Sequence, residues 1–192
     1  MKYRILVLLL ACEVAHATGP LIGVELESEK DNKSGRFNHA LEVAPGWEFS
    51  DNSIISRVEL LFERNEDTSA DSAGVTAKEN KVFLRIRRDG DFNDQWGYYV
   101  RGGVGRSFNN ERNFNYAYIE PGLEYKITQR WAWTVAYREL NAIDGAAGQH
   151  VGQAMTGPSF DVSKNDELEL RYVRSHGDKD LTSWFVEYVH KY

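Results

Sequence analysis

Residues 181–192 read LTSWFVEYVHKY, and the set Trp184, Val186, Tyr188, His190, Tyr192 interleaves with Ser183, Phe185, Glu187, Val189, Lys191. A period of two sustained over such a run marks a β-strand with two unlike faces. Its last side chain is a terminal aromatic. Something has to cover that face and pair with that edge.

Alternation of this kind recurs along the chain and predicts ten strands, over 21–29, 36–49, 54–64, 80–88, 95–106, 115–127, 130–140, 149–162, 165–175 and 181–192. No segment carries a convincing helical period. VAPGWEF (43–49), IEPGLEY (119–125) and GPSFDV (157–162) form a quiet internal repeat around Pro45, Pro121 and Pro158. Their rhythm suits consecutive up-and-down hairpins better than a Greek key. The connections alternate between tight turns (SDNS, RDGDFND, TQR, SKN) and longer polar loops such as KDNKSGR and NEDTSADSAGVTAKE.

The amino end has a basic opening, the apolar run ILVLLLACEVA, and AHA before Thr18. That pattern predicts a cleaved signal peptide over 1–17 and a single domain over 18–192. Lipid attachment at Cys12 is the competing reading, disfavoured by the short apolar run and by Leu10, where a small residue is wanted. Cys12 is the only cysteine, so an exported mature chain would have no disulfide. Without Lys2, Arg4 and Glu13 the count of 23 basic and 29 acidic residues becomes 21 and 28, a net −7. That argues against a nucleic-acid partner.

Mean hydropathy is −0.53, yet the chain has five Trp and ten Tyr. All five Trp fall on one face of the strands. A closed barrel of about ten strands has no room inside for so many rings, whereas lipid outside accepts them. Trp47, Phe49, Trp96, Tyr125, Trp131, Trp133 and Tyr192 lie near the short turns or the carboxyl end, and Trp184 lies near the loops; Tyr188 shares their face. Two aromatic belts around an aliphatic band suit a bilayer interface. The expected fold is therefore all-β: an antiparallel up-and-down transmembrane β-barrel of about ten strands, with eight or twelve as alternatives.

The terminal strand with Trp184, Val186, Tyr188 and Tyr192 resembles that of the small outer-membrane β-barrel proteins of Gram-negative bacteria; His190 departs from their usual choice. The Pro-Gly-aromatic hairpins and inward arginines are similar, more weakly, to the oligogalacturonate-specific porins. The first resemblance implies outer-membrane lipid and lipopolysaccharide as surroundings, and barrel-assembly machinery meeting the C-terminal strand. Short turns and both termini would be periplasmic.

The opposite face holds Arg57, Arg85, Arg87, Arg101, Arg138, Arg171, Glu42, Glu59, Glu120, Glu169 and Glu187. Arg57, Arg101 and Arg171 are expected at one depth as partners of Glu42, Glu120 and Glu187. Charges there need water or each other. With water, they make a narrow channel guiding small water-soluble solutes, anionic ones such as acidic sugars included. Paired, they make a ladder that fills the lumen of a closed structural or adhesive barrel acting through its loops.

Nothing points to a cofactor or to catalysis. His150 and His176 sit at the rim with Asp144, Asp178, Asp180 and Ser175 nearby, without a local nucleophile signature. Glu66, Asp67 and Asp71 lack calcium-loop spacing. Gly102, Gly103 and Gly105 are expected to let a strand bend.

Overall fold

The computed structural model describes residues 17–50, 54–67, 78–109, 113–145 and 150–192. All but the last residue of the expected signal peptide, and Asp71 of the acidic loop, lie outside them.

Ten strands follow one another: β1 (Ala17–Asp31), β2 (Phe37–Phe49), β3 (Arg57–Asp67), β4 (Lys78–Asp91), β5 (Trp96–Asn109), β6 (Phe114–Lys126), β7 (Trp131–Ala142), β8 (His150–Asp161), β9 (Asp166–Gly177) and β10 (Leu181–Lys191). Each boundary lies within four residues of that read from the alternation. Every strand pairs antiparallel with its sequence neighbour, and β10 closes on β1, so the sheet has no free edge. Closure answers the question posed by the last strand: Val24 stands opposite Tyr188 and Gly23 opposite Val189. The five connections that follow odd-numbered strands, the longest (68–77) among them, gather at one end of the barrel, here the loop end, and the four that follow even-numbered strands at the other, the turn end.

The three prolines mark interruptions in the ladder. Pairing skips Ala44–Pro45 between β2 and β3, Glu120–Pro121 between β6 and β7, and Gly157–Pro158 between β8 and β9. A proline has no N–H to offer there. The glycine beside each proline faces inward. A Cβ on Gly46 would meet Glu59, one on Gly122 the ring of Tyr99, and one on Gly157 the backbone of Leu170 and Arg171. The repeat thus clears room on the inner wall for the side chains of Glu59 and Tyr99 and, at Gly157, for the neighbouring backbone.

Leu26, Val104, Ile119 and Val135 are exposed on the outer face, with the aromatic residues at its two ends. No helix among the described residues is long and apolar enough to cross a membrane; the strands themselves present the lipid-facing surface of a transmembrane barrel. Two apolar clusters share the interior with the charges. One joins Ala44, Leu61, Phe83, Phe114, Tyr116 and Tyr118; the other joins Tyr99, Ala136, Met155, Val173 and Phe185.

One expectation needs correction. Phe49, assigned to the lipid-facing belt, is only 8% exposed and lines a cavity inside the turn end. Opposite it, β1 shifts register between Ala17 and Gly19, and such an irregularity re-aims side chains. The glycine run of β5 also has a packing role. Gly103 and Gly105 face inward, where a Cβ would strike Tyr118 and Phe83, so they make space for those rings.

Candidate functional site: a charged layer across the barrel

Nine of the ten strands send a charged side chain into one layer at mid-barrel: Glu25, Glu42, Glu59, Arg85, Arg101, Glu120, Arg138, Arg171 with Glu169, and Glu187. Strand β8 adds Gln153, which accepts a hydrogen bond from Arg138 Nη1 at 3.4 Å. The layer is one connected network. Arg85 Nε and Nη2 donate to Glu59 at 2.7 and 3.0 Å, and Arg85 reaches Glu187 at 3.1 Å and Glu42 at 3.5 Å. From the other side Arg171 Nη2 donates to Glu187 and to Glu25, both at 2.7 Å. Arg138 Nε donates to Glu120 at 2.7 Å.

Arg101 sits at the centre in a different way. It lies 3.6 Å from Glu120, 3.6 Å from Glu169 and 3.9 Å from Glu187, which is ion-pair range but beyond a good hydrogen bond. Its Nε and Nη1 have no hydrogen-bond partner. Tyr99 compensates in part: its ring lies under both Arg87 (4.6 Å) and Arg101 (5.0 Å), and its hydroxyl donates to Glu120 at 2.9 Å. Glu59, Arg101, Glu120, Arg171 and Glu187 are each no more than 3% exposed.

All eleven charged residues singled out in the sequence face inward, but not at one depth. Arg57 was expected beside Glu42. Instead it lies nearer the turn end, 3.5 Å from Glu167 and 4.0 Å from Glu48, while Glu42 belongs to Arg85. Arg87 pairs with Asp89 at 2.6 Å. Glu25, Tyr99, Tyr116 and Tyr118 share the inner face, as alternation places them, but Leu61, Phe83 and Phe185 were not singled out in the sequence. Parity carried the signal: Phe83 is two residues from Arg85, Leu61 two from Glu59, Phe185 two from Glu187.

Of the aromatic residues, Trp47, Trp96, Tyr125, Trp131, Trp133, Trp184, Tyr188 and Tyr192 are exposed on the outer face. Neighbours form ring pairs there, Trp96 with Tyr125 at 4.9 Å and Trp131 with Phe160 at 5.1 Å.

At the rim, Ser175 points inward, buried against Gln153, while His176 points outward to Tyr137. Adjacent in sequence, they occupy opposite faces of β9. Asp178 and Asp144 accept backbone N–H groups of His150 and Asn115, and Glu66 is paired with Arg64.

No family model matches the chain, and no curated protein matches it. Its fold does match solved structures. An outer membrane channel from Pseudomonas putida superposes with a TM-score of 0.55 at 8% identity, covering 92% of this chain and 96% of that one. The translocator domain of the autotransporter NalP from Neisseria meningitidis gives 0.53 at 11% identity, covering 100% and 95%. A KdgM porin in complex with disordered oligogalacturonate gives 0.48 at 11% identity, covering 90% and 99%. At these identities the likeness is one of fold alone. The fold is a closed ten-stranded antiparallel barrel, shared with these outer-membrane β-barrels.

Proposed function

We propose that this chain is a closed outer-membrane barrel that acts through its loop end, not a conduit. The observation that carries the reading is the mid-barrel layer, where six charged side chains from six strands (Glu59, Arg85, Arg101, Glu120, Arg171 and Glu187) are no more than 3% exposed and bound to one another. A porin needs a continuous aqueous path with charges that face water. Here the arginines are consumed by glutamates. The separation of Ser175 from His176 supports a non-enzymatic role, and the net charge of −6 offers nucleic acid no footprint.

The same reading places the barrel in lipid with its loop end toward lipopolysaccharide. Lys30, Arg64, Arg106 and Arg174 project outward at the loop ends of β1, β3, β5 and β9, where anionic headgroups would lie. Short turns and both chain ends then face the periplasm. Conductance of the purified, refolded protein in planar bilayers tests the lumen. We expect no unitary steps above the lipid background. Regular openings with anion preference would replace this reading by the narrow channel for acidic solutes.

A further inference from the structure

Between the charged layer and the loop end lies a cavity of about 170 Å³ inside the barrel. Six glutamates line it, against Lys81, Lys179, Arg85 and Arg138. Arg85 and Arg138 already hold Glu59 and Glu120, which lie outside the cavity wall. Lys81 is held by Glu63 at 2.7 Å and by Glu79 at 3.8 Å, and Asn38 donates to Glu29 at 3.1 Å. Two charges of this lining remain: among the described residues neither Glu27 nor Lys179 makes a hydrogen bond or an ion pair.

A second observation comes from the opposite wall of the same cavity. Tyr116 and Tyr118, both from β6, line this cavity with side chains 3% and 8% exposed, and neither hydroxyl has a hydrogen-bond partner. Buried hydroxyls are ordinarily satisfied, and a carboxylate in such surroundings ordinarily has a cation. Two orphan hydroxyls and an unpaired acid thus face one cavity from opposite sides. Among the charged and amide side chains the lining also carries apolar surface, from Phe83, Phe114 and Leu140. No group of three acidic, His or Cys ligands that could hold a metal occurs among the described residues.

We propose that the loop-end cavity binds a small organic cation, an alkylammonium group on a short apolar stem. An ammonium carries three donors and no acceptor, which suits the Glu27 carboxylate and the oxygens of Tyr116 and Tyr118. The stem lies on the rings of Phe83 and Phe114. The site does not depend on whether the layer beneath it conducts.

The test is calorimetric titration of the full refolded chain in detergent with n-butylammonium chloride, against n-butanol, sodium butyrate and sodium chloride. Saturable binding of the amine alone is expected. Glu27→Gln should weaken it about tenfold, as loss of a charged hydrogen bond does. Tyr116→Phe should weaken it measurably, and Leu140→Trp, which fills the cavity without touching a charge, should abolish it. Tyr116→Phe removes only an oxygen that has no partner, so this arm stands even if Glu27→Gln fails to refold. Equal binding of butanol, displacement of the amine by equimolar sodium, or unchanged affinity in a folded Glu27→Gln or Tyr116→Phe variant would each overturn the proposal.

Discussion

Arg85 and Glu59 stand directly opposite each other on β4 and β3 and are joined twice, at 2.7 and 3.0 Å, with both side chains buried. Arg101, equally buried, has no such partner; each acid it approaches keeps another guanidinium. Glu120 has Arg138, Glu169 has Arg171, and Glu187 has both Arg85 and Arg171. The two arginines should therefore differ in a way burial alone does not foretell. Arg85→Met strands Glu59 and Glu42 and should destabilise by about 3–5 kcal/mol. Arg101→Met removes a charge that lacks good hydrogen bonds and should cost about 1–2 kcal/mol. Denaturant unfolding followed by the gel-mobility difference between folded and unfolded barrel reads both; equal losses would contradict the network as drawn.

The same layer sets a sign for any leak. It holds six glutamates (Glu25, Glu42, Glu59, Glu120, Glu169, Glu187) and four arginines (Arg85, Arg101, Arg138, Arg171). Replacing Arg101 and Arg171 together by Ala leaves six acids against two bases and empties the centre of the lumen. Conductance should rise from background to resolvable steps, and the reversal potential in a salt gradient should show cation preference. A double variant that stays silent would mean the apolar clusters seal the barrel without the charges.

Much of this was legible because a strand has only two faces. Once Arg85, Arg101 and Glu187 are read as inward, every second residue follows, and the ten strands fall within a few residues of their places. Depth was not legible in the same way. Register depends on where each turn begins and on bulges, so Arg57 slid one tier toward the turn end and found Glu167. Phe49 lies opposite the register shift of β1, where strict alternation is not kept. The empty space above Gly103 and Gly105 was invisible because it is set by Tyr118 and Phe83, on the neighbouring strands.

Glycines on the two faces should respond oppositely. At Gly157 a Cβ would run into the Leu170 carbonyl, and neighbouring backbone cannot give way. At Gly102, which faces outward, the nearest atom is the Tyr118 carbonyl oxygen at 3.8 Å. Gly157→Ala should lower the yield of heat-modifiable, folded barrel severely, with a cost of about 1–3 kcal/mol or more. Gly102→Ala should refold like the parent. Parity of the two variants would show that β8 and β9 can part at the proline gap without loss.

The closing strand ends in a set of contacts that also explains His190. The Lys191 N–H donates to Asn165 O at 2.8 Å, Asn165 Nδ2 donates to Lys191 O at 2.7 Å, and the Tyr192 N–H donates to Pro20 O at 3.0 Å. On the outer face, the Tyr188 hydroxyl donates to Asp166 at 2.6 Å and His190 Nδ1 lies 2.8 Å from the same oxygen, with Tyr192 edge-on to His190 at 4.6 Å. His190 thus has a polar partner where an apolar residue would have none. Near the interface a charge on the lipid face costs only about 0–1 kcal/mol. Tyr188→Asp with Tyr192→Asp should therefore reduce refolded stability in lipid vesicles slightly. If assembly machinery reads this strand, the level of folded barrel in the outer membrane of cells should fall far more than that stability loss accounts for. Matching losses in vesicles and in cells would limit the strand's role to closing the barrel.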